Sequence, residues 1–211
     1  MIFTEFAFLG FFLVTALVHW TLKANHWRKL WLLAVSYYFY GCWDYRFLIL
    51  IFASTVLDYV TAVALGRAEA ERTRRLLITL SICANLGILG FFKYFNFFVD
   101  SAVTLLRWLG TNPNVTTLSI VLPVGVSFFT FQSMSFTIDV YRRRLAPHHP
   151  FLDFALFVSF FPQLVAGPIA RASHFLPQLE TTRFFASVNV RRALLLFFIS
   201  SLLADLSINK F

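Results

Sequence analysis

Five apolar runs follow one another along the chain, at roughly Phe3–Leu22, Leu30–Trp43, Phe47–Leu65, Leu76–Phe98 and Ile120–Tyr141, with short polar stretches between them. A helix needs about 20 apolar residues to cross a bilayer, within a usual range of about 17–25. Four runs meet that length. The second, Leu30–Trp43, is short and spans only with little tilt, with Tyr37, Tyr38, Tyr40 and Trp43 in the interface as an aromatic belt. In the connection before Ile120, Ser101–Leu109 predicts a short amphipathic helix lying in the interface, and Thr111–Thr117 a solvated turn. After Pro150 the pattern changes. Phe151–Ala166 is apolar, but Pro162 interrupts it and Gly167–Pro168 stops it. Arg171–Arg183 is mixed, and Ala193–Leu203 is a short apolar run behind Arg191 and Arg192. The pattern predicts an all-α, polytopic membrane protein with about five to seven transmembrane or re-entrant helices. Residues 1–150 form a five-helix bundle, 151–183 a re-entrant or broken segment and 184–211 a partial helix, all within one transmembrane domain.

Composition agrees. Hydrophobic residues make up 59% of the 211 and charged residues 13%, against about 45–50% and about 25% in soluble domains. The net charge of +8 does not indicate nucleic acid, because the cations sit in short connections between apolar runs. They also alternate. The first connection holds Lys23, Arg28 and Lys29, the third four arginines against two glutamates, and the fifth Arg142, Arg143 and Arg144. In the second, Asp44 cancels Arg46, and in the fourth, Asp100 cancels Arg107. The positive-inside bias then places the N-terminus outside the cytoplasm, on the periplasmic side. MIFTEF lacks the basic start of a cleaved signal, so the first helix is expected to stay attached. Cys42 and Cys83 lie in apolar runs without metal spacing and read as packing residues.

The candidate chemistry is polar groups in apolar surroundings. Ser127, Thr130, Ser133 and Thr137 share a broad helical face, with Gln132, Ser135 and Asp139 beside it, at about 100° per residue. Two readings are open: glue between helices, or the wall of a tunnel for a polar substrate. Pro123 suits a first helical turn, and Gly125 permits close approach. Asp58 and Lys93 are ionisable groups inside predicted spans. At ~1.5 Å per residue they lie at different depths, so outward snorkelling of Lys93 is expected rather than a salt bridge. Gln163 and Arg171 flank the Gly167–Pro168 break, where an arginine can hold a phosphate, a carboxylate or exposed carbonyls, or simply brace the loop. Of the five histidines, His19 and His26 read as interfacial. His148 and His149 read as a solvated pair without further metal ligands. His174 is a candidate for proton transfer, or else interfacial. There is no phosphate-binding glycine loop, nucleophile elbow or zinc motif.

The stretches FLILIFASTVLDY (Phe47–Tyr59), NLGILGFFKYFNFF (Asn85–Phe98), LPVGVSFFTFQSMSFTIDVYR (Leu122–Arg142) and DFALFVSFFPQLVAGPIARASHFLPQL (Asp153–Leu179) resemble the N-terminal part of the membrane-bound O-acyltransferase family. The likeness covers about residues 1–198. It is strongest to the alginate O-acetylation branch and more distant to the D-alanine transferase branch. The resemblance implies the N-terminal half of a helical ring in the bacterial inner membrane. It implies acetyl-CoA or another acyl donor used as a substrate on the cytoplasmic side, with no bound cofactor. The acceptor would be a polysaccharide such as alginate, and the partners periplasmic acetylation and export proteins. Ser127, Thr130, Gln132, Gln163, Arg171 and His174 become candidates for the substrate tunnel. The family's essential histidine stands in a Trp-His-Gly setting that none of His19, His26, His148, His149 and His174 shares. Past Leu194–Phe198 the family's usual text is replaced by ISSLLADLSINKF. A truncated member, inactive by itself, is the expectation. Two other readings are a non-catalytic membrane scaffold for polysaccharide export, and a transporter-like protein using Asp58 and Lys93.

Overall fold

In the computed structural model, residues 6–42, 45–108, 125–166, 170–181 and 189 are described. Residues 1–180 form one compact unit and 181–211 a second. The first unit is built from α1 (Phe6–Thr21), α2 (Asn25–Gly41), α3 (Arg46–Arg67), α4 (Glu71–Trp108), α5 (Val126–Tyr141), α6 (Phe151–Ser159), α7 (Phe161–Ala166) and α8 (Ala172–Glu180). No strand occurs among the described residues. Leu48–Arg67 and Glu71–Phe95 are long and apolar enough to cross a membrane, and Ala7–Thr21 and Phe151–Gln163 are shorter apolar helices. Leu13, Leu17, Ile49, Val60, Leu76, Leu80 and Phe97 stand more than half exposed. Water-soluble monomers rarely leave contiguous apolar surface on that scale. The described residues are those of an all-α membrane protein, with apolar side chains on its outer surface.

The predicted interfacial helix at 101–109 is a correction. Ser101–Trp108 continues α4 without interruption, giving a helix of 38 residues. No proline or glycine lies between Phe98 and Trp108 to stop it, and the Thr104 hydroxyl bonds back to the Asp100 carbonyl at 2.8 Å inside the turn. At 1.5 Å per residue α4 is about 57 Å long, nearly twice a hydrocarbon core of about 30 Å. The predicted turn at 111–117 and Pro123 lie outside the described residues, as do Gly167, Pro168 and the whole of the predicted partial helix but Asn189.

The broken segment lies at the centre. Every residue of α6 from Asp153 to Ser159 is buried, because α2, α3, α5 and α8 pack around it. A helix that is apolar on all sides requires such a place. The Phe154 ring packs at a tilt against Phe136 of α5, centroids 4.5 Å apart, and Phe157 likewise against Phe175 of α8 at 5.6 Å. A second cluster closes around α7. Phe11, Phe39 and Phe161 form a triangle with all three centroid distances at 5.5 Å.

The three cation-rich connections gather at one end of the bundle. Asn25 donates to the Leu179 carbonyl at 2.8 Å, and Lys29 pairs with Asp153 at 2.7 Å near the start of α6. Gly66, near the end of α3, faces Pro147 of the α5–α6 loop. A Cβ on Gly66 would fall 2.5 Å from the proline ring. Crowding a packed contact in this way costs about 1–3 kcal/mol. Gly66→Ala is therefore expected to lower the thermal midpoint in detergent, while Gly87→Ala, which meets nothing within 4 Å, is expected to leave it unchanged or raise it.

Helix ends at this level are closed by side chains. Arg28 donates to the Leu22 carbonyl at 2.6 Å, just past the end of α1. Arg74 reaches back to the Leu65 carbonyl at 2.5 Å and across to the Tyr141 carbonyl at 2.7 Å. One buried guanidinium thus serves the orphan carbonyls of two helices, α3 and α5. α5 itself ends in a Schellman turn. The Arg144 amide donates to the Asp139 carbonyl and the Arg143 amide to that of Val140, with Arg143 left-handed at φ 58°. α5 begins on Gly125, also left-handed, at φ 82°, a conformation that glycine adopts without the Cβ penalty.

Candidate functional site

α5 carries the polar stripe, and its neighbours decide what each member does. Thr130, Gln132, Ser133 and Thr137 are buried, while Ser127, Ser135 and Asp139 are half-buried. Gln132 points at the break between α6 and α7. Its amide nitrogen donates to the Phe157 carbonyl at 2.6 Å and to the Gln163 side-chain oxygen at 2.9 Å. Pro162 lacks an amide hydrogen, so the helix cannot run through and nearby backbone groups need other partners. Ser36 of α2 accepts from the Phe161 amide at 3.3 Å. Irregular backbone in an apolar interior is tolerated when side chains satisfy it in this way.

A second polar node lies on the opposite side of α5. Asp58 of α3 is fully buried. Its Oδ1 accepts from the Ser81 hydroxyl at 2.6 Å and from the Asn85 amide at 2.8 Å, both on α4. Ser54 donates to the Asn85 oxygen at 2.9 Å, and the Ser133 and Thr137 hydroxyls of α5 face the same carboxyl. One carboxyl group thereby ties α3 to α4, and α5 faces it. Lys93 takes no part. Its side chain is exposed, with its ammonium 5.6 Å from the Tyr94 ring centroid.

Sequence reasoning missed Ser54, Ser81 and Asn85. The signal was there: Ser54 with Asp58, and Ser81 with Asn85, are polar pairs four apart on otherwise apolar spans, so each pair shares a helical face. It also missed the pair of half-buried Lys29 with buried Asp153.

The remaining candidates are spread out. Arg171 and His174 are exposed. The Arg171 carbonyl accepts from the His174 and Phe175 amides, opening α8. His19 packs edge-on against Trp20, with centroids 5.3 Å apart, and His26 lies 6.1 Å from Trp27. The expected solvated pair at 148–149 is divided. His148 is exposed, but His149 is half-buried. It sits edge-on to Phe136 at 6.2 Å and 3.9 Å from Glu180, and its carbonyl accepts from Tyr59. The contact of Pro147 with α3 folds the loop inward and takes His149 with it. Among the described residues no cluster of three His, Cys, Asp or Glu could hold a metal ion. The arrangement can accept and donate hydrogen bonds in a dry interior. Among the contacts described the glutamine pair has serine neighbours, with the Ser135 hydroxyl donating to the Gln132 carbonyl at 2.7 Å, but no histidine.

No protein-family model matches the chain, and no solved structure does. Among curated proteins, the chain is 40% identical over 181 residues to a probable alginate O-acetylase AlgI of Pseudomonas aeruginosa, covering 85% of this chain and 35% of that protein. It is 39% identical over 181 residues to the AlgI protein of Azotobacter vinelandii, covering 85% and 36%. It is 34% identical over 202 residues to a peptidoglycan O-acetyltransferase of Helicobacter pylori, covering 84% and 37%. The chain spans about a third of the length of these relatives. Over that shared stretch the chain is similar to AlgI-type O-acetylases and to a peptidoglycan O-acetyltransferase, in line with the resemblance its motifs carry.

Proposed function

We propose that this chain builds part of the acyl path of a membrane O-acetyltransferase, which moves acetyl groups to sugar hydroxyls of an exopolysaccharide such as alginate. The observation that carries this reading is the pair of relatives. An alginate O-acetylase and a peptidoglycan O-acetyltransferase match most of the same chain at 40% and 34% identity. Acetylation of a sugar polymer is common to both names, and the polymer is what differs.

The structure supports a guiding role for α5 and the broken α6–α7 segment. A charged acyl donor is costly to bring to the bilayer centre, whereas an acetyl group is small and neutral. A donor such as acetyl-CoA can keep its charged part at the cytoplasmic end while its thioester arm reaches inward along polar side chains. The acceptor hydroxyl then attacks the thioester carbonyl, the carbon–sulfur bond breaks and the departing thiol takes the hydroxyl proton. Ser127, Thr130, Gln132 and Gln163 offer such side chains, and Arg171 and His174 stand at the rim. The setting is the bacterial inner membrane, crossed several times, with the N-terminus periplasmic. The gathering of the first, third and fifth connections at one end of the bundle supports a single cytoplasmic face. Periplasmic acetylation and export proteins take the acetylated product onward. None of the five histidines is assigned the transfer step, and the chain expressed alone is expected to acetylate nothing.

The test is a chimera. The matching stretch of the Pseudomonas aeruginosa relative is replaced by this chain's residues, and alginate acetyl content is measured by NMR. Restored acetylation is expected, and none, with the chimera inserted in the membrane, contradicts the reading. In the active chimera Gln132→Ala and Gln163→Ala are each expected to reduce acetylation about tenfold or more, since misplacing a reacting group by 1 Å can cost about 100-fold. Unchanged acetylation in both variants removes the pair from the path.

A further inference from the structure

We propose that the cleft between the α3–α4 turn and the α5–α6 loop binds the phosphate of an anionic phospholipid, with one acyl chain of that lipid in the adjoining groove between α3 and α4. The cleft measures about 490 Å³, and Gly66, Glu69, Arg74, Arg143, Arg144 and Pro147 line it. Its formal charge is three arginines against one glutamate. The groove measures about 550 Å³ and is lined chiefly by Tyr59, Val60, Val63, Ala64, Arg67 and Leu77. Ala68 lines both, so the two adjoin.

The chemistry changes from the cleft to the adjoining groove as it does along a lipid. Val60 is 59% exposed on the apolar side, within the span Leu48–Arg67. Arg67 closes that span, at the level where headgroups begin. The C-terminal ends of α3 and α5 point their negative dipoles here, which would oppose an anion. Arg74 offsets both by bonding their last carbonyls. The exposed Arg143 and Arg144 then line the phosphate position, and the exposed Arg67 lines the adjoining groove. Arg143 holds its place in the left-handed region, which non-glycine residues rarely adopt. The Schellman bonds of residues 143 and 144 keep both arginines at the cleft.

Guanidinium groups pair with phosphate oxygens through two parallel bonds. A zwitterionic headgroup would bring its own ammonium against the arginines, so an anionic lipid is selected. A free phosphate would leave the apolar groove unused. This inference rests on the membrane fold and not on the acetyl-transfer reading.

The full chain in neutral detergent is titrated with phosphatidylglycerol or phosphatidylcholine of identical acyl chains, with bound lipid counted by native mass spectrometry and the thermal midpoint followed. Phosphatidylglycerol is expected to bind and raise the midpoint, and phosphatidylcholine is not. Each arginine near an anionic headgroup contributes roughly fivefold in affinity. Arg143→Gln with Arg144→Gln is therefore expected to weaken phosphatidylglycerol binding about 20-fold, and the paired lysine variant to keep most of it. Val63→Trp, which fills the groove, is expected to abolish lipid binding. Equal binding of the two lipids, or unchanged affinity in the paired glutamine variant, overturns the proposal. So does an equal rise of the midpoint with inorganic phosphate that survives Val63→Trp, since that outcome marks a free-phosphate site. If the paired variant loses helical circular dichroism, Arg144→Gln alone decides, with a loss of about fivefold expected and no loss overturning the proposal.

Discussion

Asp58→Ala is expected to destabilise the bundle by about 2–4 kcal/mol, measured by reversible unfolding in mixed micelles, while Asp58→Asn costs less than about 1 kcal/mol. The alanine strands the Ser81 hydroxyl and the Asn85 amide, which now donate to the carboxyl at 2.6 and 2.8 Å. A stranded buried donor costs about 1–3 kcal/mol. Hydrogen bonds between helices in a bilayer average only about 0.6 kcal/mol, because the separated helices find other partners. The cavity left by the side chain adds to the loss, which sets the range. Asparagine keeps an oxygen for Ser81 and Asn85, and its amide can donate toward Ser133 and Thr137. If asparagine proves as damaging as alanine, the negative charge itself is needed and the hydrogen-bond account fails. Lys93→Ala is the matched control. Its ammonium stands over Tyr94 on the exposed side, and no measurable change is expected.

Arg74→Ala is the second large effect, at about 3–5 kcal/mol. It leaves the carbonyls of Leu65 and Tyr141 without the donor that closes α3 and α5. Each loss is about 1–3 kcal/mol for a buried group, and more where the donor is charged. Arg74→Lys recovers only part, because a single ammonium cannot span two helix ends as the planar fork does. The neighbouring Arg75 gives the contrast. It pairs with Glu71 at 3.4 Å with both side chains mostly exposed, a contact worth about 0–1 kcal/mol. Arg75→Ala is expected to be nearly silent, and equal losses at 74 and 75 would show that the clamp is not structural.

That contrast also shows where sequence reasoning stops. Arg74 and Arg75 are adjacent cations in one connection, alike in any pattern, and only the packing of α4 across α3 and α5 separates a buried clamp from a surface pair. The helices themselves were legible because lipid enforces long apolar runs. α1 to α5 fall on the five predicted stretches, and Pro162 marks the interruption between α6 and α7. The length of α4 was not legible, because Asp100 and Arg107 suggested a turn to the interface, yet nothing in the backbone from Phe98 to Trp108 prevents a helix. Gln132 and Gln163 could be singled out as polar residues in apolar runs, but their contact at 2.9 Å depends on how a broken helix docks against α5. The same holds for Asp58. Its carboxyl was conspicuous, and its partners Ser81 and Asn85 depend on the stagger of α3 against α4, which pattern alone does not set. His149 misled for a related reason, since a proline packed on a glycine of another helix drew it out of solvent.

The central claim is a membrane bundle whose α3–α4 turn and α5–α6 loop meet at one end. It is tested most directly by cysteine accessibility in sealed vesicles of known orientation. Cys42 and Cys83 are first replaced by serine, and single cysteines are placed at Thr73 and at Arg142, both exposed, with a third at the buried Ala155. A membrane-impermeant maleimide is predicted to label positions 73 and 142 from the same side of the membrane and to leave 155 unmodified. Labelling of 73 and 142 from opposite sides, or ready labelling of 155, would contradict the account.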